Sequence, residues 1–322
     1  MGGTAYESAS AAARAATRAS TGTSAFTYTD SIKSGKHAAV AHESLLLKNK
    51  PFRECRDNED NPVSVPIVTF IDLTGSMGSL SHNIIADLHK LVKAVQDNGV
   101  VKYPSLLFGG VGDAKYDRAA LQVGEFENND ELVEKHLSNI FIEGGGGGNA
   151  TESYELAIYF AANQIQSDHW DKRGQKGFFF LISDENLSDR LVPSEIKELC
   201  GIDVQETPSF STVVQQLLDR YHVTIIRPKG SSYYDDPRVT ASFEKYFPSQ
   251  TIIKVEDWHE VVGVMATTIS ILSGEDLDTA VKNSKKAGLA VNLSSTALAS
   301  LAGSGASLAT VPTEDGVDGV RL

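Results

Sequence analysis

Asp72, Thr74 and Ser76 sit at alternate positions in "VPIVTFIDLTGSMGSL", residues 65 to 80. A carboxylate and two hydroxyls at this spacing put three oxygens on one side of a turning loop. Two other segments offer similar groups. Asn149, Thr151, Glu152 and Ser153 follow the glycine run 144–148, and Ser183, Asp184 and Glu185 close "FFFLISDE". All of these donors are hard oxygens, a set that suits Mg²⁺, Mn²⁺ or Ca²⁺ and does not suit Zn²⁺. Asp72 and Asp184 together can hold a divalent cation without saturating its field, so the metal stays Lewis-acidic towards an outside carboxylate.

Such a site needs elements that bring distant segments together. From residue 65 the chain alternates apolar strands with amphipathic helices. "VPIVTFID", "PSLLFGGVGD", "KGFFFLISDE", "YHVTIIRP" and "QTIIKV" read as strands, with "AALQVGEF" as a shorter edge strand. Between them, "NIIADLHKLVKAVQDNG", "NDELVEKHLSNIF" and "ESYELAIYFAANQI" carry apolar residues at helical spacing, and "WHEVVGVMATTISIL" closes the run as a helix. Asn98-Gly99 is a helix stop, and Asn129-Asp130 is a helix start. Strands that are nearly all apolar imply a parallel sheet covered on both faces, a doubly wound α/β domain over residues 61–273. Ligands of such sheets bind beyond the carboxyl ends of the strands.

The flanks differ from this core. Residues 1–60 form an Ala/Ser-rich arm, and residues 274–322 form a tail rich in Ala, Ser, Gly and Leu that reads as a flexible extension. The arm holds 8 Lys and Arg against 7 Asp and Glu; the totals of 29 and 42 leave 21 against 35 for the rest, which carries the acidity. Both flanks are weakly apolar, so the arm is expected to drape over its own domain or to dock on a neighbouring chain.

A net charge of −13 with no basic cluster argues against nucleic acid as a partner. No run of 18 apolar residues predicts a membrane span, and "MGGTAYESAS" does not read as a secretory signal. Cys55 and Cys200 have no metal-binding spacing and read as reduced thiols of a cytoplasmic protein. The histidines show no paired spacing.

The motif "DLTGSMGS" resembles the metal-ion-dependent adhesion site of von Willebrand factor A (VWA) domains, whose pattern is Asp-x-Ser-x-Ser, a later Thr and a later Asp. Asp72, Thr74 and Ser76 map onto the first part, and Asp184 fits the last acid. Thr151 is the candidate for the middle position, with Glu152 and Asn149 as rivals. The wider run over about residues 50 to 272 is similar to a group of such proteins in phages and bacteria. The resemblance implies a Rossmann-like fold with a bound cation, Mg²⁺ or else Mn²⁺ or Ca²⁺. It also implies a protein partner that presents an Asp or Glu to that cation, and no enzymatic activity follows from it. A second reading makes the chain a structural subunit of a phage particle or similar assembly, a homo-oligomer or larger array held through its arms.

Competing readings of the same residues remain. Asp72-x-Thr74-Gly75-Ser76 is also a plausible helix N-cap. "IDLTG" resembles the aspartyl loop of haloacid-dehalogenase-like phosphatases, with Asp72 as nucleophile and Asp113 and Asp117 holding Mg²⁺. Against that, position 74 is Thr where a second acid is expected. Asp113 and Asp117 otherwise rim the upper face of the sheet, form a secondary cation site or belong to a solvated loop. The glycine run lacks the Gly-Lys-Ser/Thr ending of a phosphate-binding loop, so its expected role is conformational.

Overall fold

The structure is a computed structural model, and it describes Arg14, Thr17, Ser20, residues 25–145 and residues 151–291. Most of the Ala-rich segment, Asn149 and the tail beyond residue 291 lie outside the described residues. In chain order the elements are α1 (Thr27–Lys33), β1 (Arg53–Cys55), β2 (Val65–Asp72), α2 (Leu80–Asp97), β3 (Pro104–Val111), β4 (Leu121–Val123), α3 (Asp130–Ser138), β5 (Thr151–Glu152) and α4 (Tyr154–Asn163). There follow β6 (Ile165–Ser167), β7 (Gly177–Ile182), β8 (Asn186–Leu187), α5 (Phe210–Arg220), β9 (Tyr221–Pro228), α6 (Pro237–Glu244), β10 (Ile252–Val255), α7 (Val261–Leu272) and α8 (Leu277–Lys286).

The central sheet has six strands in the order β10-β9-β7-β2-β3-β4. The first five run parallel, and β4 pairs antiparallel with β3 at the edge. Alternation along β2 shows why both faces are covered. Ile67 and Ile71 point into a layer with Leu88, Leu91 and Val95 of α2 and with Met265 and Ile269 of α7. Val68 and Phe70 point into the opposite layer with Leu156 and Phe160 of α4 and with Val213 and Leu217 of α5. Phe70 meets Phe160 edge to face, with ring centroids 6.0 Å apart. Complete burial of each such side chain contributes roughly 1.5–3 kcal/mol, so β2 is pinned from both sides.

Local signals behave as the residues predict. Asn129 caps α3 by accepting from Glu131 N and Leu132 N, Gly99 ends α2 at φ 71°, and Asp236 caps α6 ahead of Pro237. Both cysteines are buried and free. No helix among the described residues is long and apolar enough to cross a membrane.

The described part of the arm folds onto the domain. Leu45 and Leu47 are buried, and β1 pairs in parallel with β6. Thr29 Oγ1 donates to Ile140 O at 2.9 Å and accepts from Ile142 N at 3.0 Å. The tail departs from the sequence expectation. Residues 277–286 are not a flexible extension but a helix, α8, which buries Ala280, Val281 and Ser284 and packs on α7. Ser284 Oγ lies 3.0 Å from Thr267 Oγ1 of that helix. Its inner face is built from small residues, so the apolar periodicity that announces a helix is faint. Asp276 at the N-cap, accepting from Thr279 N, was the legible signal.

Candidate metal centre at the carboxyl end of the sheet

Register brings Asp72 and Asp184 together. Ile71 pairs with Ile182 across the parallel β2–β7 ladder. Asp72 is one residue past that pair and Asp184 two, so both acids leave adjacent strands at the same end. A second, two-stranded ladder joins β5 to β8, matching Thr151 with Asn186 and Glu152 with Leu187. It ties the segment after the glycine run to the loop that carries Asp184 and Glu185.

Close polar contacts link four of the predicted residues. Asp72 Oδ1 accepts from Thr74 N at 2.7 Å and from Thr74 Oγ1 at 2.6 Å. Thr74 Oγ1 lies 3.1 Å from Ser76 Oγ, and Ser76 Oγ donates to Asp184 Oδ1 at 2.7 Å. Two acids 112 positions apart are thus bridged by two hydroxyls from one turn. Thr74 heads a single 3-10 turn, Gly75–Met77, and its side chain makes no capping bond, so the N-cap reading of this motif does not describe it. A side chain at Gly75 would crowd the turn, because a Cβ there would sit 3.0 Å from Gly145 O, which accepts from Gly75 N at 2.5 Å.

For the middle position the sequence prefers Thr151, with Glu152 and Asn149 as rivals; Asn149 lies outside the described residues, and the other two differ in burial. Successive side chains of a strand point to opposite faces. Glu152 is buried and its carboxyl feels the charge of Asp72 most strongly among its neighbours, whereas Thr151 is half-buried. Asp113 and Asp117 knit their own loop: Asp117 Oδ2 accepts from Asp113 N and Asp113 Oδ1 accepts from Lys115 N, each at 2.8 Å. Both nonetheless add negative field at Glu152 and Glu185. They rim the centre electrostatically.

Several contributors were not singled out in the sequence. Tyr154 OH donates to Asp72 Oδ2 at 2.5 Å and accepts from Glu185 N at 3.3 Å. Ser232 N and Ser232 Oγ both donate to Ser76 O at 3.0 Å, and Tyr233 N donates to Asp184 Oδ2 at 3.4 Å. Arg227, fully buried at the end of β9, donates from Nη1 to Thr240 Oγ1 at 2.5 Å and from Nη2 to Tyr233 O at 2.6 Å. It fixes the loop that holds Ser76 and Asp184. The dipeptide Arg227-Pro228 at a strand end was the available cue, since a charge there must face a polar cluster.

The electrostatics are those of crowded, desolvated acids. Burial, and then the charge of Asp184, pushes Asp72 up to about 7 against its hydrogen bonds from Thr74 and Tyr154. Asp184 is also raised by burial, opposed by Ser76, the backbone of the 232–233 loop and Arg227. Glu185 is pushed up to about 7 and Glu152 to about 10, each chiefly by burial and then by neighbouring carboxylates. Glu152 Oε2 and Glu185 Oε2 are buried without a hydrogen-bond partner among the described residues.

This donor set fits a hard dication. All of its atoms are oxygens, its acids repel one another, and two buried carboxylate oxygens lack donors. Among the described residues no group of three or more His, Cys, Asp and Glu side chains is arranged as a metal cluster. The capacity lies in two acids and two hydroxyls, with Glu152 beside them. Half-buried Ser76 and exposed Gly75 leave one side of the centre open to solvent.

No protein-family model and no curated protein matches this chain. Solved structures do. The pilus adhesin SpaC from Lactobacillus rhamnosus GG, in its open conformation, is similar at 12% identity and TM-score 0.44, over 66% of this chain and 30% of the adhesin. The vWF domain of the type V pili tip protein Mfa5 from Porphyromonas gingivalis is similar at 10% identity and TM-score 0.44, over 71% of this chain and 97% of that domain. A von Willebrand factor type A protein from Catenulispora acidiphila is similar at 12% identity and TM-score 0.34, over 70% of this chain and 43% of that one. This chain therefore spans less than half the length of the adhesin and of the Catenulispora protein. The fold is a doubly wound, mainly parallel α/β sheet, a statement that rests on strand order and register.

Proposed function

We propose that the chain is a cation-dependent protein-interaction module. Mg²⁺, or Mn²⁺ or Ca²⁺ in its place, is held by Asp72, Thr74, Ser76 and Asp184. Glu152 takes the middle position in preference to Thr151. The bound ion supplies a Lewis-acidic point at the open, Ser76 side. The residues around it orient the acids: Tyr154 and Thr74 fix Asp72, while the 232–233 loop fixes Ser76 and Asp184. A partner's Asp or Glu side chain completes the shell, because Mg²⁺ takes about six oxygens at about 2.1 Å and this site offers fewer.

One observation carries this reading: two hydroxyls of one turn, 3.1 Å apart, reach acids on two strand ends, Thr74 donating to Asp72 and Ser76 to Asp184. The arm's described segment folding on its own domain favours a self-contained module over a part held by neighbours. The test is calorimetric titration of Mg²⁺ into the full chain, paired with thermal unfolding in EDTA. Saturable heat and a raised midpoint are expected, and co-purified partners should dissociate in EDTA. The absence of both heat and a shift would overturn the proposal.

A further inference from the structure

The described arm, residues 25–50, meets the domain along a seam with a histidine at each end. Phe26 opens it: its ring meets His82 of α2 edge to face, with centroids 5.1 Å apart. His42 closes it, ahead of the single turn Glu43–Leu45. His42 Nδ1 accepts from Ser44 N at 3.2 Å and lies 2.8 Å from Ser44 Oγ. Ser44 Oγ also accepts from Asn139 Nδ2 at 3.3 Å, which ties this turn to the end of α3. Between the two histidines, Tyr28, Ile32, Ala39 and Leu46 pack around Ala41, Ala119 and Phe141. Past the seam Arg53 is buried, and its Nε donates to Gly124 O at 2.7 Å.

Both imidazoles suit the neutral state. A backbone N–H can only donate, so His42 Nδ1 must offer its lone pair to Ser44 N. A proton on that atom removes the bond and with it the cap of the turn. Burial lowers the His42 pKa; Glu43 opposes this, while His37 and Lys135 reinforce it. At His82 a proton would place a charge in a half-buried contact with an apolar ring. Burial leads there too, reinforced by Lys33 and opposed by Asp30, both on α1. A released arm returns each group towards its ordinary value of 6.5. The released state therefore binds protons more readily, and falling pH favours it.

We propose that this seam is an acid-sensitive latch: protonation of His42 and His82 frees residues 25–50 from the domain, while Arg53 keeps them tethered. Release bares the apolar face around Ala119 and Phe141. The sign is opposite to that of the buried acids at the carboxyl end, Asp72 and Glu185, which are stabilised by acid. The arm thus opens under conditions that leave the sheet closed.

The test is hydrogen exchange of the full chain in EDTA, read by mass spectrometry at about pH 7.5 and about pH 5.5, either side of the ordinary histidine value. Rates are corrected for the intrinsic pH dependence of exchange. Two protons taken up on opening predict at least about a tenfold loss of protection over residues 26–47, with β2 and β7 unchanged. H42N/H82F keeps a cap acceptor and an apolar ring but cannot titrate, so its arm should hold the same protection at both pH values. H259Q, at an exposed histidine of the turn Trp258–Glu260, should respond as the wild type does. Unchanged protection of the wild-type arm, a loss shared equally by β2 and β7, a full response in H42N/H82F or a lost response in H259Q overturns the proposal. If the arm of H42N/H82F is already unprotected at the higher pH, H42N alone decides: a shallower response supports the latch, and one as steep as the wild type's overturns it.

Discussion

The two ends of the sheet both gather acids, yet they handle charge in different ways. At the carboxyl end, Asp72, Asp184, Glu152 and Glu185 are buried, and their pKa values are raised by burial and by one another. At the amino end, Glu54, Glu59 and Asp60 are exposed. Water screens the exposed group, so its charges cost little and attract at a distance. The buried group has no such screening, so each unpaired acid there is expensive until a cation arrives. Location, more than charge count, separates a cluster of desolvated acids from a broad electrostatic basin.

The sharpest way to break this contrast is Arg227→Ala. It removes the buried cation near Asp184 and two hydrogen bonds that hold the 233–240 region. The expected loss of stability is about 3–5 kcal/mol, measured by urea unfolding. A loss within the range of ordinary surface changes would show that the buried end is far wetter than described.

Tyr154→Phe is next. It deletes the donor to Asp72 Oδ2 and leaves the ring in place. We expect a cost of about 1–3 kcal/mol in EDTA, together with weaker Mg²⁺ binding. Asp72→Asn should remove the Mg²⁺ response altogether and still leave a folded chain, since it deletes a desolvated charge and keeps an acceptor for Thr74. A retained Mg²⁺ shift in this variant would place the ion elsewhere.

The pH dependence has a definite sign. Asp72 and Glu185 have folded pKa values near 7, raised from ordinary values of 3.8 and 4.5. The folded state therefore binds their protons more tightly than the unfolded state does. Their contribution to stability is complete below the ordinary carboxylate range and is lost as pH rises through about 7. In EDTA the midpoint should fall between about pH 4 and pH 7. With saturating Mg²⁺ that fall should flatten, and Mg²⁺ affinity should climb with pH as protons are displaced. A midpoint that rises over this window would contradict the burial of these acids. The smallest effect belongs to the exposed end, where E59Q/D60N should change stability by no more than about 0.5 kcal/mol.

Much of this was legible in the residues. The strands announced themselves as apolar runs, the order of elements implied a doubly wound sheet, and Asp72-x-Thr74-x-Ser76 marked the tip of a strand. Asp184 was readable because it, too, ends a buried strand. The different burial of Thr151 and Glu152 was not, since the two are adjacent and only the facing direction of β5 distinguishes them. Nor was α8, whose buried face is made of small residues, or the role of Tyr154, whose partner lies 82 positions away.

By itself the sequence determined which segments become strands and helices, because those patterns repeat over a few residues and report burial directly. It also determined that every candidate donor at the strand ends is an oxygen. Only tertiary structure decided which donors meet. That depends on the β2–β7 register, the β5–β8 pairing and the loop anchored by Arg227, all of which are contacts between residues distant in the chain.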